Sequence, residues 1–215
     1  METVAIIDYG SGNLRSAGKA FERMIREGGH NARAVVTGDV SVVKDADRIV
    51  LPGVGAFGDC RAGLLAVDGM WDLIIDVVEK KGRPFLGICV GMQLMARFGL
   101  EHGKFAGFGW IDGNVAPIDV GPDLKIPHMG WNTVQFDQIH PVTKGLGQGD
   151  LTHAYFVHSY AFQAEEASCV VATTEYGTQI TAAVAHDTKI GTQFHPEKSQ
   201  ATGLTLIGNF LSWRP

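Results

Sequence analysis

The sequence predicts an α/β fold: a single domain over residues 1–215 with a central mixed, mostly parallel sheet flanked by helices and an antiparallel portion in its second half. Three observations carry this. Strand and helix signals alternate through the first half of the chain. Strand signals then follow one another closely, with only turn residues between them. At the junction of the apolar run Pro84 to Ile88 with a helical stretch reaching toward Phe98 stands Gly87-Ile88-Cys89-Val90-Gly91, the pattern of a tight strand-to-helix turn.

Val4 to Ile7 forms a short apolar strand. Asn13 is placed to cap the helix that follows, whose apolar positions Leu14, Ala17, Phe21, Met24 and Ile25 recur at helical spacing. Arg33 to Val36 and Ile49 to Leu51 are further strands, the second closing at Pro52-Gly53. Trp71, Ile74, Ile75 and Val78 mark one helix face that stops before Gly82, and Pro84 opens the strand leading to Cys89. In the second half, Val134 to Phe136, Tyr155 to Phe162, Cys169 to Thr174, Ile180 to Ala185 and Ile190 to Phe194 are strands. Leu204, Ile207, Phe210 and Leu211 outline a last helix. Trp110 and Trp131 flank strands and are expected to pack.

Composition sets the class. The chain has 215 residues, 45% of them hydrophobic, enough for a substantial core. Eighteen basic against 23 acidic residues leave a net charge of -5, with no basic cluster for nucleic acid. The start lacks a basic n-region, and no apolar run approaches the ~18 residues of a membrane span. Cys60, Cys89 and Cys169 are widely spaced, without a CxxC, which suits a reducing cytoplasm. The histidines show no ligand-like spacing, so no metal is expected, and no cofactor.

Cys89 between two glycines at such a turn is what a nucleophile elbow needs: side chains beside the nucleophile would not fit, and the sulfur stands above the sheet. His195-Pro196-Glu197 supplies a base, with a carboxylate two positions on that an extended backbone would place on the same side. Together they form a Cys-His-Glu triad for acyl transfer. Cys60 and Cys169 are expected to be buried small hydrophobes. Gly10-Ser11-Gly12 is no dinucleotide loop, because Arg15 stands where the third glycine belongs; a turn with partner contact suits it better.

Pro52-Gly53-Val54-Gly55-Ala56-Phe57, Gly87-Ile88-Cys89-Val90-Gly91-Met92-Gln93 and Gln193-Phe194-His195-Pro196-Glu197-Lys198-Ser199 together resemble the class I glutamine amidotransferases. With Asp8-Tyr9-Gly10-Ser11-Gly12-Asn13, the likeness covers nearly the whole chain and points to glutaminase subunits that serve histidine biosynthesis. One departure is Val90, where leucine is more frequent; only its backbone N–H is needed. The resemblance implies hydrolysis of L-glutamine to glutamate and ammonia through a thioester on Cys89. It implies oxyanion donors from the N–H groups of Val90 and Val54, the latter after its peptide rearranges between flanking glycines. It implies glutamine contacts from Gly53, Gly55, Gln93, Glu101, Ser159 and Tyr160. It further implies a heterodimer with a cyclase subunit, a (β/α)8 barrel that receives the ammonia, with Asn13 and Lys198 at the interface. Two alternatives remain open: a glutaminase serving another acceptor, and an amidotransferase-like binding module without turnover. Met92 stands where chorismate-directed relatives carry histidine.

Overall fold

The first strands are apolar on both faces, and the fold buries both. Val4 to Ile7 and Ile49 to Leu51 are fully buried, as continuous apolar runs in a helix-covered parallel sheet require. The computed structural model describes residues 1–147 and 152–215. In chain order the elements are β1 (Glu2–Ile7), α1 (Leu14–Glu27), β2 (Ala32–Thr37), α2 (Val40–Asp45), β3 (Arg48–Gly53), α3 (Phe57–Ala66), α4 (Met70–Ile75, wound on by a π turn over Asp76–Lys80), β4 (Phe85–Cys89) and α5 (Val90–Gln93). There follow β5 (Ala96–Gly99), β6 (Phe105–Ala106), β7 (Ile111–Pro117), β8 (His128–Phe136), β9 (Thr152–His158), β10 (Tyr160–Ala164), β11 (Val170–Glu175), β12 (Gln179–His186), β13 (Lys189–Thr192) and α6 (Gln200–Ser212).

One sheet runs β2-β1-β3-β4-β13-β12-β11-β8-β9. It is parallel from β2 to β13 and antiparallel from β13 to β9. Here the βα half and the strand-rich half read from the sequence meet: β4, which ends on Cys89, lies beside β13, which runs toward His195. A second sheet, β10-β7-β5-β6, is not separated in the sequence reading, which carries only the start of β10 within its Tyr155 to Phe162 strand. Among the described residues, no helix is long and apolar enough to cross a membrane.

Four local expectations change. The helix after Cys89 does not reach Phe98; it lasts one turn, and residues 96–99 form β5. The loop that follows takes the carbonyls a longer helix would use: Phe108 N–H donates to Leu94, Trp110 to Met95 and Gly109 to Ala96. Tyr155 to Phe162 is two strands in different sheets, broken at Ser159. Asn13 precedes α1 but makes no side-chain cap. Trp131 is 49% exposed rather than packed, whereas Trp110 is buried and stacked on Phe108.

Arg48, 2% exposed at the start of β3, fastens the last helix. Its guanidinium donates to the carbonyls of Phe210 (2.9 Å) and Trp213 (2.8 Å) and reaches Glu2 at 3.4 Å. The Phe210 carbonyl in the last turn of α6 and the Trp213 carbonyl just past it thus each accept from a buried charge.

Candidate active site

Cys89 is forced into its position. Its backbone has φ 54° and ψ -109°, a region that L side chains occupy only under strain. The glycines on either side explain how the turn closes. A Cβ on Gly91 would overlap the Leu51 carbonyl oxygen of β3, and one on Gly87 would run into the Gly91 carbonyl. The short helix α5 begins at the next residue, so its first N–H groups and positive end face the sulfur.

His195 arrives on the continuation of β13, whose last registered pair with β4 is Thr192 with Ile88. Its Nδ1 lies 2.9 Å from Glu197 Oε1, and both side chains are 2% exposed. The pair is not held by extended backbone, as the sequence reading had it. Residues Pro196–Lys198 form a 3-10 turn, started by the fixed φ of proline, which folds the carboxylate back onto the ring. His195 Nε2 is buried and makes no hydrogen bond of normal geometry among the described residues. Burial alone would push this imidazole down. Its interactions with Cys89 and Glu197 outweigh burial and raise it to about 9. At neutral pH the ring is therefore a cation beside the sulfur, and a cation there favours a thiolate.

A cavity of about 270 Å³ opens beside the sulfur. It is lined by Val54, Gly55, Cys89, Val90, Gln93 and Glu101 on one side, and by Pro127, Val157, His158, Ser159, Tyr160 and His195 on the other. The break at Ser159 that splits the two strands puts its peptide on this wall. Glu101 also caps α3, a helix whose own N-cap is Ala56: Oε2 accepts the Phe57 N–H at 2.9 Å. The Val54 backbone is held by Ser11. The Ser11 Oγ accepts the Val54 N–H at 3.1 Å and donates to the Val54 carbonyl at 2.6 Å.

The structure thus gathers Cys89, His195, Glu197, Val90, Val54, Gly55, Gln93, Glu101, Ser159 and Tyr160 around one site. Gly53 lies outside the cavity lining; it packs where a Cβ would meet Tyr9 Oη and Val90. Asn13 is half-buried at the end of the loop after β1, and Lys198 is exposed with its ammonium 5.5 Å from the Tyr155 ring.

Of the polar framework behind the cavity the sequence offers only His158, expected at the pocket with a structural hydrogen bond; the rest of it was missed. His158 Nδ1 lies 2.9 Å from the Tyr160 carbonyl and its Nε2 lies 3.0 Å from His128 Nδ1. Burial pushes both imidazoles down to about 4, so both are neutral at pH 7. Gln193, fully buried, stands between Gln93 and Cys89. Its position two residues before His195 was the available signal.

An elbow cysteine sharing a cavity with a histidine–carboxylate pair, on a sheet of this order, is the arrangement of a class I amidotransferase. The chain belongs to that family: the glutamine amidotransferase class-I family matches residues 6–212. Within it, the high-identity relatives are HisH subunits of imidazole glycerol phosphate synthase. The chain is 59% identical to that of Mesorhizobium japonicum, 58% to that of Brucella suis and 55% to that of Rhodospirillum rubrum, each over 99% of both chains. Solved structures share the fold. A glutamine amidotransferase of Thermotoga maritima matches with TM-score 0.63 at 20% identity, over 91% of this chain and 76% of that one. Another glutamine amidotransferase matches with TM-score 0.68 at 18% identity, over 94% of both chains.

Proposed function

We propose that this chain is the glutaminase half of an imidazole glycerol phosphate synthase, in histidine biosynthesis. Cys89, His195 and Glu197 would release ammonia from L-glutamine for a cyclase partner. The observation that carries the reading is the strained Cys89 backbone beside the buried His195–Glu197 pair, in a chain alike end to end to HisH subunits.

The steps follow from the residues. Cys89, as thiolate, attacks the side-chain carboxamide carbon of glutamine, and the tetrahedral oxyanion forms against the Val90 N–H at the start of α5. His195, cationic at neutral pH, gives its proton to the departing nitrogen, which leaves as ammonia. The neutral ring then takes a proton from water, which attacks the thioester and frees glutamate. Glu197 holds the imidazole by Nδ1 and stabilises its cationic form without taking the proton. Gln93 uses both amide N–H bonds inside the protein, leaving its carbonyl oxygen for the substrate. The carboxylate of Glu101 has Oε1 to offer the substrate ammonium, since Oε2 is taken by Phe57. The peptide between Ser159 and Tyr160 faces the substrate carboxylate.

Ammonia in neutral water is protonated and lost as a nucleophile, so a sealed acceptor site is required. The names of the relatives supply its nature: a second synthase subunit, which we take to be the (β/α)8 cyclase in a heterodimer. An exposed apolar patch supports such a partner. Met129 (60% exposed) and Trp131 (49%) project from one face of β8, Trp131 beside Tyr155, and Lys198 extends the patch. Asn13 joins the interface in this reading. Glutamate release should be measured with and without a cyclase subunit and its acceptor, in the parent and in Cys89→Ala. Strong stimulation by the loaded partner, abolished in the variant, is expected. Cys89-dependent release indifferent to the partner would discard the acceptor assignment, and no Cys89-dependent release would discard the enzyme.

A further inference from the structure

We propose that Gln193 is a catalytic residue of this site: its side-chain amide donates a hydrogen bond to the Cys89 sulfur and holds it ready as a thiolate. This rests on Cys89 being the nucleophile, as proposed above. Gln193 is 0% exposed, and its Nε2 lies 3.6 Å from Cys89 Sγ.

The direction of that bond is fixed by the surroundings, not by the choice of which amide atom is nitrogen. A backbone carbonyl only accepts. The Gln93 atom 3.1 Å from the Tyr160 oxygen must therefore be Nε2. The same nitrogen is 3.1 Å from a Gln193 amide atom, which must then be the oxygen. The remaining Gln193 amide atom, nearest the sulfur, is consequently NH2, a donor. The Tyr160 carbonyl is anchored from its other side by a second chain whose polarity is equally fixed. His158 Nδ1 must carry a proton to meet that carbonyl, so Nε2 of the neutral ring accepts from His128 Nδ1–H. His128 Nε2 then accepts from Asn132 Nδ2 at 3.1 Å. The Asn132 amide is itself oriented, giving Nδ2 to the Glu175 carbonyl and receiving the Thr133 N–H on Oδ1. Backbone groups of Thr133, Tyr160 and Glu175 thus settle every orientation from Asn132 to the sulfur.

The consequence is chemical. An uncharged amide cannot take the thiol proton, so His195 remains the base. An N–H aimed at sulfur is worth more when the sulfur is charged, which favours thiolate over thiol. It also keeps Sγ from swinging away from the cavity. The alternative is that Gln193 merely fills the interior between β4 and β13. Packing alone would leave the pH profile of the sulfur unmoved.

The test is peptide-resolved alkylation of Cys89 with iodoacetamide against pH in the parent, Gln193→Leu and Gln193→Glu, with kcat and KM for glutamine. Removing the donor should move the profile up by about one pH unit and, on its acid limb, slow alkylation about tenfold. The kcat should fall in proportion while KM stays within about twofold. Gln193→Glu, which sets an acceptor against the sulfur, should do more. A profile that superimposes on the parent in a variant with unchanged circular dichroism overturns the proposal. If neither variant folds, the parent decides: the Gln193 side-chain amide proton resonance must shift with the midpoint of Cys89 alkylation, and an unmoved resonance overturns the proposal. Cys89→Ala separates the two readings. If it retains glutamine hydrolysis, the nucleophile assignment fails; if it loses hydrolysis while the Gln193 profiles match the parent, only the Gln193 role fails.

Discussion

Ser11 and Val54 are bonded twice. The serine Oγ donates to the Val54 carbonyl at 2.6 Å and accepts its N–H at 3.1 Å, while Cys60 Sγ adds a contact to the same carbonyl at 3.4 Å. A peptide held this way does not offer its N–H to an oxyanion at Cys89. That N–H belongs to the Gly53–Val54 peptide, which can turn once released because Gly53 carries no Cβ.

Ser11→Ala should therefore raise the glutaminase rate of the chain without its partner. A hydrogen bond of this kind is worth about 1 kcal/mol net, so a rise of roughly fivefold is expected. Because each oxyanion donor contributes about 2.7–4 kcal/mol to the barrier, a fully turned peptide would give more. Glutamate release by the isolated chain checks this, and an unchanged rate would mean that Ser11 does not hold the peptide back.

Of the two groups that lift the His195 imidazole, Cys89 and Glu197, Glu197→Gln removes the one on its Nδ1 side while keeping the shape. We expect kcat to fall at least ~100-fold with a small change in KM, as befits a residue that positions the base. The alkaline limb of the pH–rate profile should move below the value of about 9 set by the parent histidine. Steady-state kinetics across pH measures both.

Four histidines shape the pH dependence of folding: burial lowers His128, His140 and His158, and His195 is raised. His128 and His158 stay neutral in the folded protein down to about 4, whereas unfolded histidine protonates at 6.5. Their contribution is full above 6.5 and drains away as pH falls toward 4. His195 has the opposite sign. Its folded value of about 9 means that its contribution is full below 6.5 and lost as pH rises through 9. These groups place the stability maximum near 6.5, and urea unfolding at pH 5 should take up about two protons per molecule from His128 and His158, with His140 adding in the same direction. Denaturation curves from pH 4.5 to pH 9.5, with about half-unit steps, would expose a misplaced maximum.

Lys198 is exposed, and Lys198→Ala should alter stability by less than ~0.5 kcal/mol. Stimulation by a cyclase subunit should weaken several-fold. Titration of activity with partner reads this directly; full stimulation at the parent's midpoint removes Lys198 from the interface.

Much of this was legible in the residues, for reasons that differ from place to place. The buried runs of β1, β3 and β4 announce themselves because both faces are apolar. The Gly-x-Cys-x-Gly pattern reads true because Leu51 and Gly91 leave no room for a Cβ. What the chain hides is decided at long range. The one-turn α5 has good helix formers after it, yet Phe108, Gly109 and Trp110 take the carbonyls. Trp131 reads as core by type and lies half in solvent. The Gln93–Gln193 contact joins residues 100 positions apart, and no local pattern encodes it.

The junction of β4 with β13 sets a condition on when this chain becomes chemically competent. Cys89 ends one strand, while Gln193 and His195 continue the other, so the sulfur acquires its neighbours only when the N-terminal and C-terminal halves have docked. A chain on its way from the ribosome presents Cys89 without these neighbours until its last quarter has been made. With Cys89 as the nucleophile proposed above, the count of reactive Cys89 in a preparation is a count of completed folds.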